Sequence, residues 1–201
     1  MTRSGILLER FALPMLAALC LLAAGVAPAR AQAAHAAHAS KVRAAPEWAT
    51  WITRDVEINF QNLPKTYSCD ALWYKLRGVL LAIGARQYMS IMPYDCGKGA
   101  AQDSRWPTVD LRFQTLRILT GASAKWAETK AVRKAVELGP GLTQHLEPGD
   151  CSLLAQLQGT LFAYLKLHVV TQHLECGAGG NARYGLTVQA LIEHPLPASK
   201  S

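Results

Sequence analysis

The sequence predicts an α+β fold: two tandem β-α-β-β units in a two-layer sandwich, about six strands with two main helices on one face, stapled by disulfides. Three observations predict it. A helical stretch occurs twice, followed each time by the same order of landmarks. Runs with strand alternation flank runs with helical spacing. The cysteines form an even set once the first segment of the chain is set aside.

The repeat is clearest between Lys75–Ala82 and Gln156–Ala163, where Leu, Gly, Leu and Ala coincide at one offset. A cysteine beside an aspartate precedes each stretch (Cys69-Asp70, Asp150-Cys151). Cys96-Gly97 and Cys176-Gly177 follow them. Farther on, Val109–Leu116 aligns with Tyr184–Leu191 at Leu, Gln and Leu. The units span about 52–119 and 126–193 within one domain, 46–193.

In the first unit, Val56–Phe60 alternates apolar and polar residues and reads as a strand. Ser68 or Thr66 is positioned to cap a helix that Gly84 ends, with Leu72, Leu76, Val79 and Ile83 as its apolar stripe. Tyr88–Cys96 is a second strand, and Pro93 puts it at a sheet edge or a bulge. Thr108–Leu119 is the third. In the second unit, Asp150 is placed as N-cap of a helix over Cys151–Lys166, with Leu154, Leu157, Leu161 and Leu165 buried. Val169–Cys176 and Tyr184–Ile192 are strands. The first element, within 126–138, fits either helix or strand locally; the repeat selects strand. Trp48 and Trp51 fall ahead of the first strand, and they, Trp73 and Trp106 read as core residues.

Four cysteines outside the leader allow three pairings. A helix from Cys69 to Gly84 rises about 24 Å, and a ten-residue strand returns about 33 Å. An antiparallel return therefore brings Cys96 back to Cys69, and the same arithmetic joins Cys151 to Cys176. The expected disulfides are Cys69–Cys96 and Cys151–Cys176.

Residues 1–31 read as a secretory signal of bacterial type. Arg3 and Arg10 precede an apolar run from Phe11 to Val26, and Ala29 and Ala31 form the cleavage signature. The run is about 16 residues, short of the ~20 that span a bilayer, so no transmembrane segment is expected after cleavage. Residues 32–45 form an Ala-rich leader with few core formers, expected to be disordered, and 194–201 a flexible tail. The net charge is +7, and +5 without the signal. These charges are scattered along the sequence and do not alternate with aromatics, so nucleic acid is not an expected partner.

The candidate chemistry is sparse. His173 and Glu175 lie on one face of a strand, and Asp95 occupies the matching position in the first unit; such a set can bind a cation or do acid-base work. His35 and His38 are weak metal candidates near the mature N-terminus. His145 and His168 have no sequence partner. The cysteines are assigned to disulfides, and no Walker loop, H-E-x-x-H, G-x-S-x-G or G-x-G-x-x-G occurs. The expectation is a periplasmic or secreted protein without cofactor, a non-enzymatic interaction module whose partner is another envelope or extracellular protein. The alternative is a small metal-binding protein or hydrolase using His173 and Glu175.

Overall fold

The computed structural model describes residues 45–63, 67–96, 106–177 and 184–194. The signal, most of the Ala-rich leader, His35, His38, Thr66 and nearly all of the tail lie outside them.

Six strands form one antiparallel sheet, and helices and two disulfides complete an α+β fold. Strand β1 runs from Glu47 to Asn59, helix α1 from Cys69 to Ala82, β2 from Ser90 to Tyr94 and β3 from Thr108 to Ile118. A 3-10 turn at Gly121–Trp126 leads to β4, Thr129–Leu138. Helix α2 covers Cys151–Leu157 and passes into a π-turn at Gln158–Phe162; β5, His168–Leu174, and β6, Tyr184–His194, follow. The order across the sheet is β2-β3-β1-β4-β6-β5. The 126–138 segment is therefore a strand from Thr129 onward, and Pro93 sits on an edge strand where its missing N–H costs nothing.

Strand β1 begins earlier than the alternation at Val56 implied. Trp48 and Trp51 lie inside it, because pairing with β3 continues from Asn59 back to Ala49. Trp48 and Trp106 are about half exposed, which corrects their reading as core residues; the core is filled by smaller aliphatic side chains and by Phe60, Phe113 and Phe162.

The register assigns side chains to faces. Val56, Ile58, Val109, Leu111 and Phe113 share one face with Leu138, Leu186 and Val188, and both helices bury their stripes there in one continuous core. Ala49, Leu116 and Ala131 form a second, small cluster with Trp51, Ile118 and Leu191 on the opposite face. Strands β3 and β6 are in contact although β1 and β4 lie between them. In a flat sheet they would stand ~14 Å apart. The sheet therefore curls toward this second cluster, helped by the short overlap of β1 and β4, which pair only over Glu47–Ala49 and Thr129–Ala131.

Each helix reaches across to strands beyond its own. Gly78 of α1 presses on the backbone of Gln144, so close that a Cβ would lie 2.3 Å from that carbonyl oxygen. Gly84 meets the carbonyl of Leu191 on β6 in the same way, at 2.4 Å. Helix α2 approaches β1: Gln156 donates to the carbonyl of Gln61 (2.6 Å) and accepts from its N–H (2.8 Å).

Ser68 caps α1, its hydroxyl accepting from the N–H of Ala71 at 3.2 Å. Asp150 does not cap α2 as expected. Its carboxylate turns instead toward Lys75, Tyr67 and the N–H of Glu147, and so closes the 3-10 turn at Pro148–Asp150 that precedes the helix. The disulfides join Cys69 to Cys96 and Cys151 to Cys176, with Cα–Cα distances of 5.3 and 5.4 Å. In both cases a strand end has returned to a helix start.

Candidate functional site: a cationic groove at the end of the second helix

The residues singled out for chemistry do not converge. His173 Nε2 stands 4.0 Å from Glu175 Oε2, with both side chains well exposed. Asp95 directly follows β2, at the opposite edge of the sheet from β5, and holds a left-handed backbone (φ 57°). His168 begins β5 and is exposed. His145 sits in a loop with its ring against Tyr74. Among the described residues no three His, Cys, Asp or Glu side chains are placed to hold a metal ion.

Among the described residues one polar cluster is largely buried, and the sequence reading missed it. Lys75, 5% exposed, donates to Asp150 Oδ2 (2.7 Å) and to the carbonyl of His145 (2.8 Å), and lies 3.3 Å from Glu147 Oε2. Tyr67 donates to Asp150 Oδ1 at 2.8 Å, and Tyr184 to the carbonyl of Glu147 at 2.6 Å. Burial, followed by the charge on Asp150, pushes both tyrosine hydroxyls well above their ordinary range. Lys75, Tyr67, Tyr184 and Asp150 are buried and bonded to partners while Glu147 reaches solvent at the rim, so the cluster acts as a fastener between α1 and the loop before α2. Its signal in the sequence was Lys75 itself, a cation directly beside the Leu72–Leu76–Val79 stripe.

An open site lies beyond the π-turn, where the helical run that α2 begins comes to its end at Leu165–Leu167. Its walls come from β1 (Arg54), β3 (Thr115–Ile118), β4 (Arg133), β6 (Gln189 and Leu191), the end of α1 (Ile83) and Leu165–Leu167; the groove encloses about 350 Å³. That volume falls in the range of small-molecule sites. Ile83, Leu116, Ile118, Leu165, Leu167 and Leu191 give it apolar walls, and Arg54, Arg117, Arg133 and Lys166 supply four cations. No acidic residue is among the described residues that line it.

The neighbours of these cations are modest. Arg54 donates to Thr115 Oγ1 at 3.3 Å and lies 5.9 Å from the centre of the Tyr164 ring. Arg133 Nε is 3.5 Å from Glu47, in a pair that is about half exposed and so weakly coupled. Lys166 is held in an unusual way. The N–H of Leu167 donates to the carbonyl of Phe162 (2.9 Å) and that of Lys166 to Ala163 (3.1 Å), which forces Lys166 to φ 55°. Glycine is the usual occupant of such a helix end, and another residue there costs of order 1–2 kcal/mol. A lysine in a strained position thus joins three arginines along the groove.

No local pattern along the chain hints at this gathering. Positions 54, 117 and 133 belong to three different strands and 166 to the turn after the second helix, and only the curl of the sheet and the crossing of that helix bring them to one groove. No protein-family model matches the chain, and neither a curated protein nor a solved structure does.

Proposed function

We propose that this chain is an exported, non-enzymatic binding protein of the bacterial cell envelope, built as two tandem β-α-β-β units (about 52–119 and 126–193), whose groove at the end of α2 receives a negatively charged envelope component. The observation that carries this reading is the set of four cations over apolar walls with no lining acid. A surface of this kind attracts an anion by charge and holds it by apolar contact. Two intramolecular disulfides fit an oxidising compartment, periplasmic or extracellular. Among the described residues no helix is long and apolar enough to cross a membrane. The tandem organisation is supported by the element order, strand-helix-strand-strand in each half, and by equivalent disulfides.

The reading of His173 and Glu175 as a metal or hydrolytic site is less well supported, because the pair is exposed on an edge strand and Asp95 lies at the other edge. Photo-crosslinking in cells tests the binding proposal. A photoreactive residue replaces Gln189 at the groove, with and without Arg117→Glu and Lys166→Glu. The expected result is a discrete adduct with an envelope component that disappears on charge reversal. An adduct indifferent to charge reversal, or full retention of the protein in the cytoplasm, contradicts it.

A further inference from the structure

We propose that the ligand of the groove is a small amphipathic anion, a carboxylate or phosphate monoester head on an unbranched hydrocarbon tail; this rests on the binding reading above and names its ligand class. Two features of the same cavity point to it. The basic side chains come from separate parts of the chain, Arg54 on β1, Arg117 on β3, Arg133 on β4 and Lys166 beyond the π-turn, and border one compact groove rather than the long track an extended polyanion follows. Guanidinium forks suit carboxylate and phosphate oxygens alike. Ile83, Leu165, Leu167 and Leu191 offer no donor or acceptor from their side chains and suit a methylene chain, while Thr115 and Gln189 add two neutral polar groups. A volume of about 350 Å³ admits one such molecule and excludes a folded partner.

Calorimetric titration of the full-length mature, disulfide-bonded protein tests the inference with four probes, each below its aggregation threshold: decanoate, decyl phosphate, decanol and inorganic phosphate. The expected result is saturable one-to-one binding of decanoate, decyl phosphate or both, the stronger of the two identifying the head group. Decanol and inorganic phosphate should each bind at least about tenfold more weakly, since each lacks one half of the recognition. Lys166→Gln and Arg117→Gln should each weaken the amphiphile about tenfold, as loss of one charge-assisted hydrogen bond implies. Unchanged far-ultraviolet circular dichroism verifies their fold. Equal binding of decanol and decanoate overturns the inference, because the tail alone then suffices. Equal binding of phosphate and decyl phosphate overturns it too, while leaving an anion site in place. Binding of none of the four, together with a charge-dependent crosslink from residue 189 to a macromolecule, overturns the small-ligand inference and spares the binding proposal; absence of both overturns the two together.

Discussion

Gly84 and Lys166 close the two helices with equivalent backbone bonds, and there the likeness stops. At the first end, glycine allows the chain to lie against the Leu191 carbonyl, where any side chain would collide. The site beside it is lined by Trp51, Tyr88 and Arg86, with the Arg86 guanidinium 4.5 Å from the Trp51 ring and Glu193 opposite. At the second end, a lysine accepts backbone strain and joins three arginines. The same contrast runs along the helices. Lys75 and Gln156 occupy matching positions and both cross to the other half, but Lys75 carries its charge into a buried cluster while Gln156 makes two neutral bonds with Gln61. The first helix carries its charge into packing, and the second ends with a lysine on the open groove.

Removing a partner from the buried cluster should show the largest difference between the halves. Asp150→Ala leaves Lys75 without its closest counter-charge in a site closed to water, and should cost about 3–5 kcal/mol. Gln156→Ala, at the exposed crossing, should cost only about 1 kcal/mol. Urea unfolding with both disulfides intact measures both, and equal losses would erase the distinction.

The two aligned glycines sharpen the comparison. A Cβ at Gly78 meets the Gln144 carbonyl, whereas nothing lies within 4 Å of one at Gly159. Gly78→Ala should therefore destabilise by about 1–3 kcal/mol. Gly159→Ala should be neutral or stabilise by up to about 1 kcal/mol through helix propensity. The same denaturant experiment decides this, and a large loss at Gly159 would mean that the π-turn needs its glycine.

Much of the fold was legible in the sequence. Cysteine spacing and helix length fixed which ends could meet, alternation located β3 and β6, and the likeness of the halves decided for strand at 129–138. What escaped depends on contacts between residues far apart in the chain. Asp150 looked like a cap because it stands at a helix start, but the amine of Lys75, seventy-five residues away, competes for its carboxylate. Trp48 and Trp106 looked like core by residue type, but Trp48 falls near the start of β1 and Trp106 ahead of β3, and both are about half exposed. His173 and Glu175 were legible as neighbours on a strand, whereas the groove was illegible because its cations share no local pattern.

Alkaline pH probes the buried cluster that fastens the first helix, where Tyr67 and Tyr184 both hold their protons. The Tyr67 hydroxyl is raised by burial and by Asp150, so the folded state keeps a proton that the unfolded chain releases above about pH 10. Its stability contribution is full below that pH and is lost as pH rises toward the folded value. Unfolding free energy should thus be steady from neutrality to about pH 9 and then fall, and Tyr67→Phe should fall less steeply over the same range. An identical alkaline slope in both proteins would show that Tyr67 is not the group responsible.

Lys166→Gly is the most direct test of the central claim, that the second helix end holds its lysine for a ligand at a cost to the fold. Unfolding and decanoate titration on the same sample read both sides of it. The account expects a gain in stability of about 1 kcal/mol, from relief of the left-handed strain, together with about tenfold weaker binding. Lower stability with undiminished affinity would contradict it.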